Sequence, residues 1–197
     1  MSTEKKPDTT KRPSPARARL IDAATRLFYE EGIHTVGVDR VIAEAEVTRA
    51  TLYNQFGGKE NLVLAYLQNE DRMLRDMFAE AGASVTELSR LVDAVIDGIV
   101  ADSRLRHTRG CPFINAAAEY PDGDGPVRTM IDEHREWFRS TLEQVAEAAG
   151  LEHPADVAAS LVLLRDAALV GGYLDGDDRV SPAFERTAHA VIAAHRA

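Results

Sequence analysis

The chain has 197 residues and a formal charge of −9, with 45% hydrophobic residues and a single cysteine. That length and composition fit one or two folded domains and exclude wholesale disorder, a disulfide framework and a cysteine-built zinc site. Uninterrupted apolar runs stay short of about 18 residues and the N-terminus carries no apolar leader, so the expectation is a cytoplasmic protein without a membrane-crossing helix.

In chain order, residues 1–13 are polar and read as a flexible tail, with Lys5, Lys6, Lys11 and Arg12 as its cations. Leu20, Ile21, Ala24, Leu27 and Phe28 then form a helical stripe, which Gly32 stops. Val38, Val41 and Ile42 mark a short second helix, and Leu52 and Phe56 a short third. Val63, Leu67, Leu74, Met77 and Phe78 mark a longer fourth, and Val85, Leu88, Val92, Val95, Ile96 and Ile99 a fifth. Helical spacing resumes from Val127 through Met130, His134, Trp137, Phe138 and Val145. Residues 155–174 carry so narrow a polar stripe that a helix there must be covered on more than one side. A final helix near 182–195 offers Phe184, Ala188, Val191 and Ile192. Strand alternation and internal repeats are not apparent, so the class is all-α.

The charge is unevenly placed. Residues 1–60 are near neutral, at a net +1, and the rest carries −10. Bulk acidity counts against a nucleic-acid partner for the whole chain but not for its first third. Within that third, residues 36–59 (VGVDRVIAEAEVTRATLYNQFGGK) form two short helices joined by a tight turn after a longer one, the pattern of a helix-turn-helix. Val38, Val41, Ile42, Val47, Leu52 and Phe56 supply a small core, which turns Thr48, Arg49, Ala50, Tyr53 and Asn54 outward. Arg49 suits a guanine edge or a phosphate, Asn54 a base edge or the DNA backbone, and Thr48 and Tyr53 phosphate oxygens. Ala50 permits close approach. Lys59 opens the next helix, whose free N–H groups favour a phosphate.

These residues resemble the tetracycline-repressor (TetR/AcrR) family of bacterial transcription regulators. The resemblance lies in RLFYEEG (26–32), VDRVIAEAEVTRATLYNQF (38–56) and the Lys-Glu-Asn-Leu at 59–62. It implies about nine helices in all, with a DNA-binding domain over 14–60 and an effector-binding and dimerisation domain over 61–197. It implies a homodimer that reads a pseudo-palindromic double-stranded operator, with half-sites about one helical turn (~34 Å) or a multiple apart. A repressor released by a small molecule is the expected mode. Carried over residue by residue, Thr48, Arg49, Ala50, Thr51, Tyr53, Asn54 and Lys59 match DNA-facing positions of the family. Two positions depart from its pattern. Glu46 stands where the turn usually has Gly, and Gly37 where the second helix usually has a Ser or Thr cap.

Beyond the motif, Phe113, Asn115, Tyr120, Met130, His134, Trp137 and Phe138 are candidates for an effector pocket. For His134 a hydrogen-bonded place in the core is the favoured reading, with a polar handle for a ligand as the other. Val157, Leu161, Leu164, Ala168, Phe184, Ala188, Val191 and Ile192 are candidates for a dimer face. Cys111 reads as an inert thiol rather than a redox sensor. Glu31 and His34 have a di-iron spacing, but Gly32 interrupts it and a second copy is missing. Nucleophile elbow, phosphate loop and metal-protease motifs are absent, so no enzyme activity, cofactor or metal is expected. The alternative is a helical small-molecule-binding protein or enzyme with a repurposed helix-turn-helix.

Overall fold

Ser14 opens the ordered chain by accepting a hydrogen bond from Arg17 N at 3.2 Å, and Pro15 follows at the first helical position. The computed structural model describes residues 14–196; the basic positions of the tail lie outside them. The described residues form nine α-helices and a 3-10 turn, without a strand. Helix α1 spans Pro15–Glu31 and buries Leu20, Ala23, Ala24, Leu27 and Phe28 on one face. Helices α2 (Val38–Glu44) and α3 (Arg49–Phe56) pack across that face through Val41, Leu52 and Phe56. Helix α4 (Lys59–Ser84) shares this core through Leu62, Val63, Tyr66 and Leu67. At 1.5 Å per residue its 26 residues run roughly 39 Å, out of the first core and into a second.

The second core lies among α4, α5 (Leu91–Leu105), α7 (Pro126–Ala148), α8 (Pro154–Asp175) and α9 (Asp177–Ala194). Its centre is Leu142, Ile96, Leu161 and Ile192, each at most 2% exposed. Burying a side chain of that size contributes about 2 kcal/mol. Helix α5 starts later than its apolar spacing predicts. Val85 is extended and caps α4, and Leu88 belongs to the 3-10 turn Leu88–Arg90. Val85 and Thr86 are β-branched, which disfavours carrying the helix through.

Helix α6 (Pro112–Glu119) has no counterpart in the hydrophobic periodicity, because it is one Pro-led stretch of eight residues with three consecutive alanines. It closes the first core with Phe113 and Ala116. It also holds the end of α1, where the Glu119 carboxylate accepts from Ile33 N at 2.8 Å and His34 N at 2.6 Å.

Helices α8 and α9 form a hairpin about Gly176, at φ 87°. Its far end is tied where Glu152 N donates to His195 O at 2.8 Å, so the two run antiparallel. Helix α8 bears on the membrane expectation. By length and composition it is apolar enough to cross a membrane, with a mean hydropathy of 1.5 over 18 residues. The sequence reading missed this because Asp156, Arg165 and Asp166 interrupt every unbroken apolar run. In the fold this helix packs between α7 and α9, which gives its hydrophobicity a place in the core.

Candidate nucleic-acid interface

The turn between α2 and α3 carries the main backbone irregularity of the first core. Glu46 sits at φ 51°, in the left-handed region where the family pattern has Gly. Val47 N bonds Ile42 O at 3.2 Å and Ala45 N bonds Val41 O at 2.9 Å, so the turn keeps its shape despite the side chain. Gly37 starts α2 without a side-chain cap.

Helix α3 is then built outward from its buried side. Leu52 and Phe56, one turn apart, point into the core. Thr48 caps the helix, its Oγ1 accepting from Thr51 N at 3.1 Å and lying 2.8 Å from Thr51 Oγ1. With those positions fixed, Thr48, Arg49, Ala50, Tyr53 and Asn54 are exposed on one side, Tyr53 at 46%, while Thr51 is half-buried. Arg49 forms an ion pair with Asp39 at the start of α2. Lys59 is half-buried, with its ammonium 5.9 Å from the centre of the Phe28 ring. Burial lowers its pKa, against the opposing pull of Glu119. It opens α4, whose first turn lacks a side-chain cap and so leaves N–H groups for an anion.

Two supporting residues escaped the sequence reading. Arg17 lies over the Phe56 ring at 4.3 Å and donates to Gln55 O at 3.3 Å. Asn61 Nδ2 donates to Phe56 O at 2.7 Å. Together they satisfy carbonyls at the C-terminal end of α3 and lock its angle to α1 and α4. The signal for Arg17 was only a cation one turn into α1, which is uninformative without the fold.

The pocket candidates separate in space. A cavity of about 70 Å³ lies among α4, α5, α7 and α8, and of the seven candidates only Phe138 lines it. Trp137 packs edge-on against Phe78, itself a lining residue, at 5.8 Å. His134 is 2% exposed, stacked on Phe113 at 3.5 Å, with Nδ1 bonded to Asp71 Oδ1 at 2.8 Å. Burial pushes its pKa down to about 4, and the bond to Asp71 offsets only part of that. Asn115 is occupied by Arg109 O at 3.2 Å, Tyr120 stacks near His34, and Met130 belongs to the first core. The polar lining residues Asp102 and Arg165 were not among the candidates.

The dimer candidates need a similar correction. Val157, Leu161, Ala168, Phe184, Ala188 and Ile192 are at most 5% exposed inside the subunit's own core, and Leu164 and Val191 are half-buried. The apolar side chains left outward on α8 are Leu163 and Leu174, each 71% exposed, with Val170 and Tyr173 beside them. Because α8 is apolar nearly all round, periodicity alone does not separate its two faces.

A tri-helical unit that presents a capped, polar helix beside a basic helix start defines a helix-turn-helix DNA-binding protein. Residues 20–66 match the family described as bacterial regulatory proteins, tetR family, and residues 84–187 match the tetracyclin repressor-like C-terminal domain. The chain is 42% identical to the crystal structure of a TetR-family transcriptional regulator from Streptomyces coelicolor. That likeness covers 93% of this chain and 97% of that one, at a TM-score of 0.88. It is 26% identical to the HTH-type transcriptional regulator LmrA of Bacillus subtilis over 81% of this chain and 85% of that protein. A match to the HTH-type transcriptional activator FasR of Mycolicibacterium smegmatis, at 33% identity, covers only 45% of this chain and 42% of that protein. The chain belongs to the TetR family and is a DNA-binding transcriptional regulator.

Proposed function

We propose that the chain is a homodimeric repressor that binds a pseudo-palindromic operator and is released by a small molecule. In this reading residues 14–60 form the DNA-reading unit and residues 61–197 the effector and dimer unit, both acting in the cytoplasm. The outward set on α3 carries the proposal: Arg49, Tyr53 and Asn54 lie on one exposed side, with Thr48, Ala50 and Thr51 at the helix start and Lys59 beside it. Arg49 and Asn54 read base edges, and Thr48, Thr51, Tyr53 and Lys59 position the unit on phosphates. The exposed Leu163, Val170 and Leu174 support self-association through α8. The cavity beside α4 supports an effector, because the same helix runs on from the first core.

The test is selection of bound sequences from random duplex DNA, followed by gel shift. A two-fold symmetric site with salt-sensitive affinity is expected. Failure to select any sequence, or selection unchanged by Arg49→Ala together with Tyr53→Ala, overturns the proposal.

A further inference from the structure

We infer that Asp39 is a specificity-determining residue of the DNA-reading unit. Its carboxylate accepts a hydrogen bond from the amino group of a cytosine or adenine, in the place that Arg49 leaves when it turns to DNA. This rests on the operator reading above and adds to it a residue that can only accept. Asp39 lies in the first turn of α2, and its side chain is 78% exposed. Its Oδ1 pairs with Nη2 of Arg49, the first residue of α3. The contact brings the start of α2 to the start of α3, the end of a recognition helix that meets base edges. Arg40, the next residue, is instead held by Glu31 at the end of α1, at 3.5 Å. Of the two charges in this turn, it is therefore Asp39 that stands against α3.

Among the described residues, the hydrogen bond to this carboxylate comes from Arg49. Once Arg49 turns to a guanine edge or a phosphate, Asp39 loses that donor while a polyanion approaches it. An ionised carboxylate accepts and does not donate. In the major groove the donors on base edges are cytosine N4 and adenine N6, whereas guanine O6 and thymine O4 are acceptors. A base pair that turns its amino base towards Asp39 replaces the lost donor. The inverted pair sets an oxygen against the carboxylate and leaves it unpaired. The selectivity therefore comes as much from the base that is repelled as from the base that is bound.

Asp39 also suits the first turn of α2 for a purely local reason. That turn lacks a side-chain cap, and its free N–H groups favour a negative charge. Such a role is indifferent to the base opposite, so it predicts one common change in affinity for every DNA site. Base preference separates the two roles.

The experiment selects bound sites from random duplex DNA with the full chain as wild type, Asp39→Asn and Asp39→Ala. The wild type is expected to select cytosine or adenine at one position of each half-site. Both variants are expected to lose the preference at that position and keep the others. Titration of labelled duplexes then measures the effect on the wild-type operator and on a form with that base pair inverted in one half-site. Inversion is expected to weaken wild-type binding about tenfold or more. For Asp39→Asn it is expected to cost less than about threefold, because an asparagine amide both donates and accepts. Thermal unfolding checks that each variant is folded, and either one suffices for the comparison. Unchanged preferences in the variants overturn the inference. So does a wild-type preference for guanine or thymine on both strands' candidates at the position that changes, or an equal change in affinity for the operator and its inverted form. In each of these cases the operator reading stands. If the wild type selects no site, the operator reading falls and this inference falls with it.

Discussion

Arg49 at the start of α3 is paired with Asp39 at the start of α2, so the foremost cation of the recognition helix is held by a neighbouring carboxylate. Both side chains are exposed, at 59% and 78%, and such pairs are worth about 0–1 kcal/mol. In the proposed complex, DNA has to compete with Asp39 for this guanidinium. Asp39→Asn is therefore expected to tighten operator binding by up to about fivefold. Arg49→Ala is expected to weaken it by about 1–3 kcal/mol if Arg49 reads a base. Titration of labelled operator at several salt concentrations measures both. A weaker-binding Asp39→Asn would mean the pair orients Arg49 rather than withholding it.

Two backbone departures in the same unit make opposite demands. Glu46 holds a left-handed conformation that costs a non-glycine residue roughly 1–2 kcal/mol, part of which glycine returns through its greater unfolded-state freedom. Glu46→Gly is expected to stabilise the protein by about 0.5–1 kcal/mol on that balance. Gly37 has φ −77° and ψ 157°, ordinary for any residue, and an added Cβ meets nothing within 4 Å. Gly37→Ser restores a cap, although replacing glycine at such a position is worth only a few tenths of a kcal/mol. Urea denaturation checks both. Destabilisation by Glu46→Gly would mean that this side chain makes compensating interactions.

Both departures were legible in the sequence through the family resemblance, whose pattern has Gly at the turn and a Ser or Thr before the second helix. The outward set on α3 was legible too, because buried Leu52 and Phe56 fix every other position. Further along, legibility falls for a physical reason. In α7, His134, Trp137 and Phe138 share an apolar stripe, but the stripe does not say which neighbours leave a gap. The gap lies beside Gly82, Ala94 and Gly98, whose small side chains give no sequence signal of a cavity. Asp102 likewise reads as an ordinary surface carboxylate until the fold buries it beside His107.

Helix α8 allows a sharp test of self-association. Leu163 and Leu174 are exposed and contribute nothing to the subunit core, whereas Leu161 is 1% exposed within it. Leu163→Glu is expected to give a folded monomer of 21.6 kDa at micromolar concentration with much weakened operator affinity. Leu161→Ala is expected instead to lower stability by about 2–5 kcal/mol through a core cavity. Sedimentation and thermal unfolding separate the two. A Leu163→Glu protein that remains dimeric would place the interface elsewhere.

The two buried histidines make stability depend on pH in opposite directions. Burial alone would lower the pKa of His107, but its hydrogen bonds to Asp102 and Glu70 outweigh burial and raise it to about 9. His134 is lowered to about 4, chiefly by burial, with Arg165 adding to the shift. The raised group stabilises the fold fully below its unfolded value of 6.5, and that contribution is lost as pH rises towards 9. The lowered group must stay neutral in the fold, so its penalty grows as pH falls from 6.5 towards 4. Each limb is worth about 3 kcal/mol at most, at 1.36 kcal/mol per pH unit. Unfolding free energy measured by urea between pH 5 and 9 should therefore peak near pH 6.5. His107→Gln should flatten the alkaline limb and leave the acid limb, and His134→Gln should do the reverse. The alkaline limb surviving unchanged in His107→Gln would place the protonated group of this network on another side chain.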